Sequence, residues 1–200
     1  MEKRELIEQL VLFAKKRGAN FTPELMECIF DVSTMKMIKK GTILASVGDD
    51  TQLAGIVLSG ILRSSYTNYD GDDVTRGFMP AGYMCMDEGF FGYKERIWTI
   101  EALEDSTIIL FEIKDIRNLI KEKVEFKDLW ISLLESTVPY KYYRESGFLV
   151  ETAKERYLHF KELYPDVVDR VPQKHLATYL GITPESLSRI KHSLKEAACT

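Results

Sequence analysis

The sequence predicts an α+β chain in which a strand-rich body is followed by a long helix and a terminal pair of short helices. Three observations carry this. From about Met35 to Ile113, short apolar or alternating runs are separated by turn residues, with no sustained helical period. After Phe111 the helical period returns and persists along a segment from about Val124 to Ser146. Near the end, Val171 to Lys191 reads as two short helices around a tight turn at Gly181.

In chain order, Leu6, Leu10, Phe13 and Ala14 give Glu5–Lys16 helical spacing, and a second helix follows from Phe21 to Phe30. Thr22 is placed to cap that helix, with Pro23 at its first position, where a missing N–H costs nothing. The strand-like runs are Met35–Ile38, Thr42–Ala45, Leu53–Leu58, Ile61–Tyr66, Val74–Met79, Trp98–Leu103 and Thr107–Phe111. Breakers at Lys40-Gly41, Gly48-Asp49-Asp50, Ser59-Gly60, Asp70-Gly71, Pro80-Ala81-Gly82 and Glu104-Asp105 divide them. Short strands at such spacing indicate an antiparallel sandwich or barrel, with Asp70-Gly71 as a hairpin turn.

Asp115–Glu122 forms a short helix with Ile116, Leu119 and Ile120 inward. On the longer helix, Phe126, Trp130, Leu133, Thr137 and Tyr140 alternate three- and four-residue steps, as the seam of a paired helix does. That seam predicts a homodimer interface; packing against the chain's own sandwich is the alternative. Pro139 is expected to kink or divide the helix, because it removes one rung. Another helix, Thr152–Tyr164, is stopped by Pro165.

In the terminal pair, Leu176, Ala177, Leu180, Ile182, Leu187, Ile190 and Leu194 fall on inward faces. Thr183 and Pro184 supply the start signal of the second helix. Glu185, Ser188, Arg189 and Lys191 then project outward from its front. A helix that buries one side and offers Glu, Ser and Arg near its N-terminus suits the major groove of DNA.

Composition is that of a globular protein, with 200 residues, 45% hydrophobic and 29% charged. No apolar run reaches membrane-spanning length and no secretory h-region opens the chain, so a cytoplasmic location is expected. Net charge is -4, distributed unevenly. From Val171 onward, Lys174, Arg189, Lys191 and Lys195 oppose only Glu185 and Glu196, while the rest of the chain is acidic. Such asymmetry fits a small DNA-facing module on an acidic body. Cys28, Cys85 and Cys199 are too scattered for a disulfide framework, a zinc site or an iron–sulfur cluster, and read as buried or incidental thiols.

The order of these parts resembles the Crp/Fnr family of bacterial transcription regulators over almost the whole chain. The residues that carry the resemblance are Lys39-Lys40-Gly41-Thr42-Ile43-Leu44 with Gly48-Asp49, and Val57-Leu58-Ser59-Gly60-Ile61-Leu62-Arg63, with Gly82 introducing the effector segment. In the second half they are Pro172-Gln173, Leu176-Ala177 and the stretch from Leu180 to Ile190. The resemblance implies an N-terminal β jelly-roll sensor domain (1–123), a long dimerisation helix (124–147) and a C-terminal winged helix-turn-helix DNA-binding domain (148–200). It implies a homodimer on a palindromic promoter site, with RNA polymerase as a further partner. Glu185, Ser188 and Arg189 match the base-reading Glu-x-x-Ser-Arg of the Fnr-like branch. Glu accepts from cytosine N4, and Arg donates to guanine O6 and N7. Thr183, Ser186, Lys191, His192 and Lys195 are placed for phosphates, which position the helix without specifying sequence.

The effector segment is Met84 to Trp98, with Asp87, Glu88, Arg96, Ile97 and Trp98 as the candidate pocket. Cyclic-AMP-binding members carry there a Gly-Glu pair and an Arg followed by a hydroxyl residue. Arg96 is retained as a phosphate partner, but Met86 stands near the Gly, Asp87 near the Glu and Ile97 near the hydroxyl. Ile97 has no hydrogen bond to give, and Asp87 and Glu88 add repulsive charge, which argues against a cyclic nucleotide. Haem ligation is disfavoured because His159, His175 and His192 all follow the strand region. The effector is therefore not identified. Phe78, Tyr83, Phe90, Phe91, Tyr93 and Trp98 are candidates to line an apolar pocket, or simply core.

Other functions are weaker readings. A cupin-type metalloenzyme needs converging His ligands that the strand region lacks. Gly-x-Ser-x-Gly, phosphate-loop and His-Glu-x-x-His motifs are missing too, so no enzyme is expected. The remaining rival is a ligand-sensing module whose terminal helices contact protein instead of DNA.

Overall fold

Among the described residues, eight short strands alternate with turns, and their pairing makes two four-stranded sheets. The computed structural model describes residues 5, 8, 11, 12 and 22–198. Most of the expected helix over Glu5–Lys16, together with Phe21 and Cys199, lies outside the described residues. The chain divides into two compact units, residues 1–64 with 78–140 and residues 65–77 with 141–200.

In the first unit, α1 (Pro23–Asp31) starts as its sequence predicts: the Thr22 hydroxyl accepts from the Leu25 N–H at 3.4 Å, with Pro23 in the first turn. The strands are β1 (Ser33–Ile38), β2 (Ile43–Ala45), β3 (Leu53–Ser59), β4 (Ile61–Thr67), β5 (Asp73–Pro80), β6 (Met84–Cys85), β7 (Thr99–Ala102) and β8 (Ser106–Glu112). One sheet runs β1-β8-β3-β6 and the other β2-β7-β4-β5. β8 is antiparallel to both neighbours, with Ile109 opposite Met35 on one side and Ile56 on the other.

Side chains from both sheets close one core: Ile38, Val57, Leu62, Met79, Cys85, Trp98, Ile100 and Ile108. A second core lies where helices cover the β1-β8-β3-β6 sheet. There Leu25, Met26 and Ile29 of α1 meet Ala54, Leu58, Ile109 and Phe111, then Ile113 and Ile116 of α2 (Ile113–Glu122). Burial on both faces explains why β3 and β8 read as apolar runs, where a half-exposed strand would alternate. The Ser59-Gly60 turn needs glycine. Its φ is +85°, and a Cβ there would lie 2.2 Å from the Ser106 hydroxyl oxygen and 2.7 Å from the Asp105 carbonyl oxygen.

The long helix α3 (Val124–Val150) comes next. It runs unbroken with Pro139 inside it, neither ended nor divided there: one proline removes a single rung, and the helix continues on both sides. The first part of its predicted seam faces the sandwich, whereas Thr137 is exposed and Tyr140 half-buried. Phe126 and Leu129 are buried in the helix-covered core, Leu133 packs against it, and Trp130 stacks on Phe90 with ring centroids 4.8 Å apart. Exposed apolar residues in the first half of α3 include Val124, Ile131 and Val138, one heptad apart, and Tyr142, Tyr143, Phe148, Leu149 and Val150 are exposed nearer its end.

The second unit holds the β4–β5 tip, the end of α3, and α4 (Ala153–Leu163), α5 (Gln173–Leu180) and α6 (Pro184–Ala198). A capping box opens α4: the Thr152 hydroxyl accepts from Glu155 N–H while Glu155 accepts from Thr152 N–H. The core is Tyr157, Phe160, Tyr164, Val167, Val168, Leu176, Ala177, Tyr179, Leu180 and Leu187. The Phe160 ring lies 5.1 Å from both Tyr164 and Tyr179. The only strand ends among the described residues of this unit are those of β4 and β5, so its C-terminal part is helical. No helix among the described residues is long and apolar enough to cross a membrane.

Candidate functional site

The helix pair is built by local chemistry. α5 ends on Gly181 at φ 69°, the left-handed conformation that lets its N–H reach the Thr178 carbonyl. Ile182 N–H then donates to the Ala177 carbonyl oxygen at 3.0 Å, closing the turn. Thr183 caps α6, its hydroxyl accepting from Ser186 N–H at 3.2 Å. Leu187 is fully buried and fixes the inner face.

Opposite that face, Glu185, Ser188 and Arg189 are all exposed, as the expected base readers must be. Glu185 is held below the ordinary carboxylate range, first by its own backbone N–H, then by the Thr183 hydroxyl, with the Arg189 charge adding. It is thus an ionised acceptor. Arg189 Nη2 donates to the Ser186 hydroxyl at 3.4 Å, a long bond that leaves the guanidinium extended along the helix face.

Of the expected phosphate contacts, Thr183, His192 and Lys195 are exposed, and Ser186 and Lys191 half-buried. His192 Nε2 lies 3.2 Å from Glu196 Oε1, one turn on. His175 faces inward and is buried. Its neighbour Thr178 bonds Thr75 of the β4–β5 tip hydroxyl to hydroxyl at 2.9 Å and also accepts from Thr75 N–H.

The effector segment is organised differently from its sequence reading. Glu88, taken there as repulsive charge, is completely buried and pairs with Arg96, which is 2% exposed. Arg96 Nη1 lies 2.9 Å from Glu88 Oε2, and Nη2 donates to the Leu53 carbonyl at 2.8 Å. Spacing could not have revealed this, because the two residues are eight apart in irregular chain. Met86, where the resemblance expects Gly, has φ 61°, the only positive φ of a non-glycine among the described residues. The position therefore keeps glycine-like backbone geometry under a different side chain.

Of the candidate pocket residues, the structure brings Glu88 and Arg96 together; Trp98 is buried in the inter-sheet core and Ile97 packs beside it. Asp87 is half-buried just before the turn that Glu88 opens. Phe78 is buried, and Tyr83 packs against the inter-sheet core, while Phe91 and Tyr93 are largely exposed. Cys85 is buried, and burial pushes its thiol up to about 12, as an inert packing residue requires. Cys28 is half-buried, with Lys123 Nζ 3.1 Å from its sulfur.

The order of a two-sheet body, a long helix and a capped helix pair is similar in fold to that of several solved proteins. Residues 35–123 match the family model described as the cyclic nucleotide-binding domain. FixK2 from Bradyrhizobium japonicum is similar at 19% identity and a TM-score of 0.69, over 84% of this chain and 86% of that one. The c-di-GMP responsive global regulator CLP of Xanthomonas campestris is similar at 14% identity and a TM-score of 0.67, over 86% and 91%. The Thermus thermophilus catabolite activator protein gives 19% identity and a TM-score of 0.57, over 89% and 85%. At these identities the likeness lies in the fold. Among curated proteins, no relative matches the chain.

Proposed function

We propose that the chain is a DNA-binding transcription regulator of the Crp/Fnr type, acting as a homodimer on a palindromic promoter site under control of an effector-type sensor domain. One observation carries the reading: Glu185, Ser188 and Arg189 share the exposed front of α6 while Leu187 is buried behind them. Two acceptor and donor side chains of opposite charge, on a helix fixed from the rear, supply the pairing chemistry of a major-groove reader. Thr183, Ser186, Lys191, His192 and Lys195 hold phosphates in this reading. The heptad-spaced Val124, Ile131 and Val138 supply an apolar stripe for a second copy of α3.

The test is a mobility shift on a palindromic Fnr-type duplex and on a random duplex across a salt series. A steep salt slope on both, with tighter binding to the palindrome, is expected. Absence of any salt-dependent DNA binding would favour terminal helices that contact protein.

A further inference from the structure

Arg96 presents a guanidinium to the interior, where an unpaired charge is not tolerated. We infer that Glu88 is a resident ligand: its carboxylate takes, on Arg96, the place that a diffusible anionic effector would need. The inference deepens the proposed function by naming what stands in the effector seat. It rests on that reading for its consequence in regulation and not for the binding chemistry.

Three features support it. First, the pair is dry and short, with 2.9 Å between Nη1 and Oε2 and neither residue more than 2% exposed. An incoming phosphate would have to displace a carboxylate tethered only eight residues away, whose effective concentration, on the order of millimolar or above, exceeds that of a dilute effector. Second, both terminal nitrogens of Arg96 are engaged within the chain, Nη2 donating to the Leu53 carbonyl.

Third, the turn that carries Glu88 cannot easily retreat. A Cβ on Gly89 would lie 2.2 Å from the Thr51 carbonyl oxygen, so the turn is packed to backbone contact. Arg117 Nη2 donates to the carbonyls of Gly89 and Phe90 at 3.1 and 3.2 Å. Phe90, two residues beyond Glu88, is the ring stacked on Trp130 of α3. Occupancy of Arg96 therefore fixes a turn in contact with the long helix, and the occupant is part of the chain. The sensor is set in one state without a small anion.

The experiment follows the melting temperature and tryptophan emission of full-length wild type, E88A, E88Q and E88A/R96A, each with formate, inorganic phosphate or cyclic AMP. Wild type is expected to respond to none. E88A should melt lower by on the order of 10 °C, because a buried guanidinium loses its partner. Millimolar formate or phosphate should recover at least half of that, and E88A/R96A should recover nothing. A wild-type melting temperature raised by phosphate or cyclic AMP overturns the inference, as does a folded E88A indifferent to formate and phosphate. Should E88A not fold, E88Q keeps the shape and removes the charge. Its lowered melting point and altered Trp130 emission support a resident charge, and behaviour identical to wild type overturns it. Specific DNA binding, measured separately on wild type, decides the regulator reading without touching the anion result.

Discussion

Arg156 on α4 donates from Nε to the carbonyl oxygen of Leu180 at 3.1 Å, tying the last turn of α5 to the helix before it. The same side chain donates from Nη1 to the Glu151 carbonyl at 2.7 Å and lies over the Phe148 ring, 5.3 Å from its centroid. One guanidinium thus serves two helix C-termini, whose final carbonyls lack partners within their own helices. Arg156→Ala is expected to destabilise the second unit by about 1.5–3 kcal/mol, the range for hydrogen bonds to charged groups. Arg156→Lys should recover less than half, since a point charge cannot reproduce the fork. Urea unfolding followed by helical circular dichroism measures both, and an unchanged midpoint for the alanine variant removes this role.

Gly181 is constrained twice. Its φ of 69° disfavours any side chain, and a Cβ would lie 2.8 Å from Cε1 of Phe148. Gly181→Ala should cost about 1–2 kcal/mol from backbone conformation alone, with the contact adding to it. Adding Phe148→Ala should cancel the steric part only, so the two changes together cost less than their sum. Strict additivity in a double-mutant cycle would show that Phe148 yields freely.

Helix ends, in contrast to these long-range contacts, were legible in the sequence because each depends on neighbours three or four residues away. Thr22, Thr152, Thr183 and Gly181 announce helix ends by residue type, and seven of the eight strands announce themselves by apolar runs between turns. β6, two residues long, carries no period; it exists because Cys85 pairs with Gly55. Periodicity showed that Phe126, Trp130 and Leu133 share a face of α3 but not what that face meets. Three-dimensional packing assigned it to the sandwich. The partner of Glu88 was hidden for a related reason. Charge can be counted along a chain, but whether two charges repel or pair depends on tertiary placement.

The capping box at α4 predicts a pH dependence. Glu155 is held below its ordinary value first by the Thr152 N–H, then by the Thr152 hydroxyl. A carboxyl depressed in the folded state stabilises it fully above the unfolded-state value, and that contribution disappears as pH falls through the folded value. Glu155→Gln should therefore lower stability at neutral pH and make no difference once acid has protonated both states. Thr152→Ala should cost about 1 kcal/mol at neutral pH through loss of the cap. Urea midpoints at neutral and acidic pH check both; a Glu155→Gln penalty that persists in acid contradicts the electrostatic origin.

The proposed dimer stripe and the sandwich-facing seam can be separated by charge insertion. Ile131 is 43% exposed, whereas Leu133 packs against the buried core. Ile131→Asp should leave the fold intact and weaken self-association at least a hundredfold, because an unpaired carboxylate would enter the helix–helix contact. Leu133→Asp should instead lower the melting temperature of the body. Light scattering with thermal unfolding distinguishes them, and an Ile131→Asp protein that remains a tight dimer moves the interface elsewhere.

Base reading and phosphate holding predict different signatures on α6. Arg189 stands at the front of the exposed face, next to an ionised Glu185, while Lys195 lies nearly two turns further along. A guanidinium that pairs with guanine contributes about 1–3 kcal/mol of discrimination, so Arg189→Ala should lose that amount on the palindrome and much less on a random duplex. Lys195→Ala should weaken both duplexes alike and reduce the salt slope by about 1, the signature of one lost phosphate contact. Fluorescence anisotropy on the two duplexes across a salt series reads both quantities. Equal losses for Arg189→Ala on the two duplexes would reassign Arg189 to the phosphates. The base-reading role would then have to be sought at Glu185 and Ser188, the remaining exposed groups at the front of the helix.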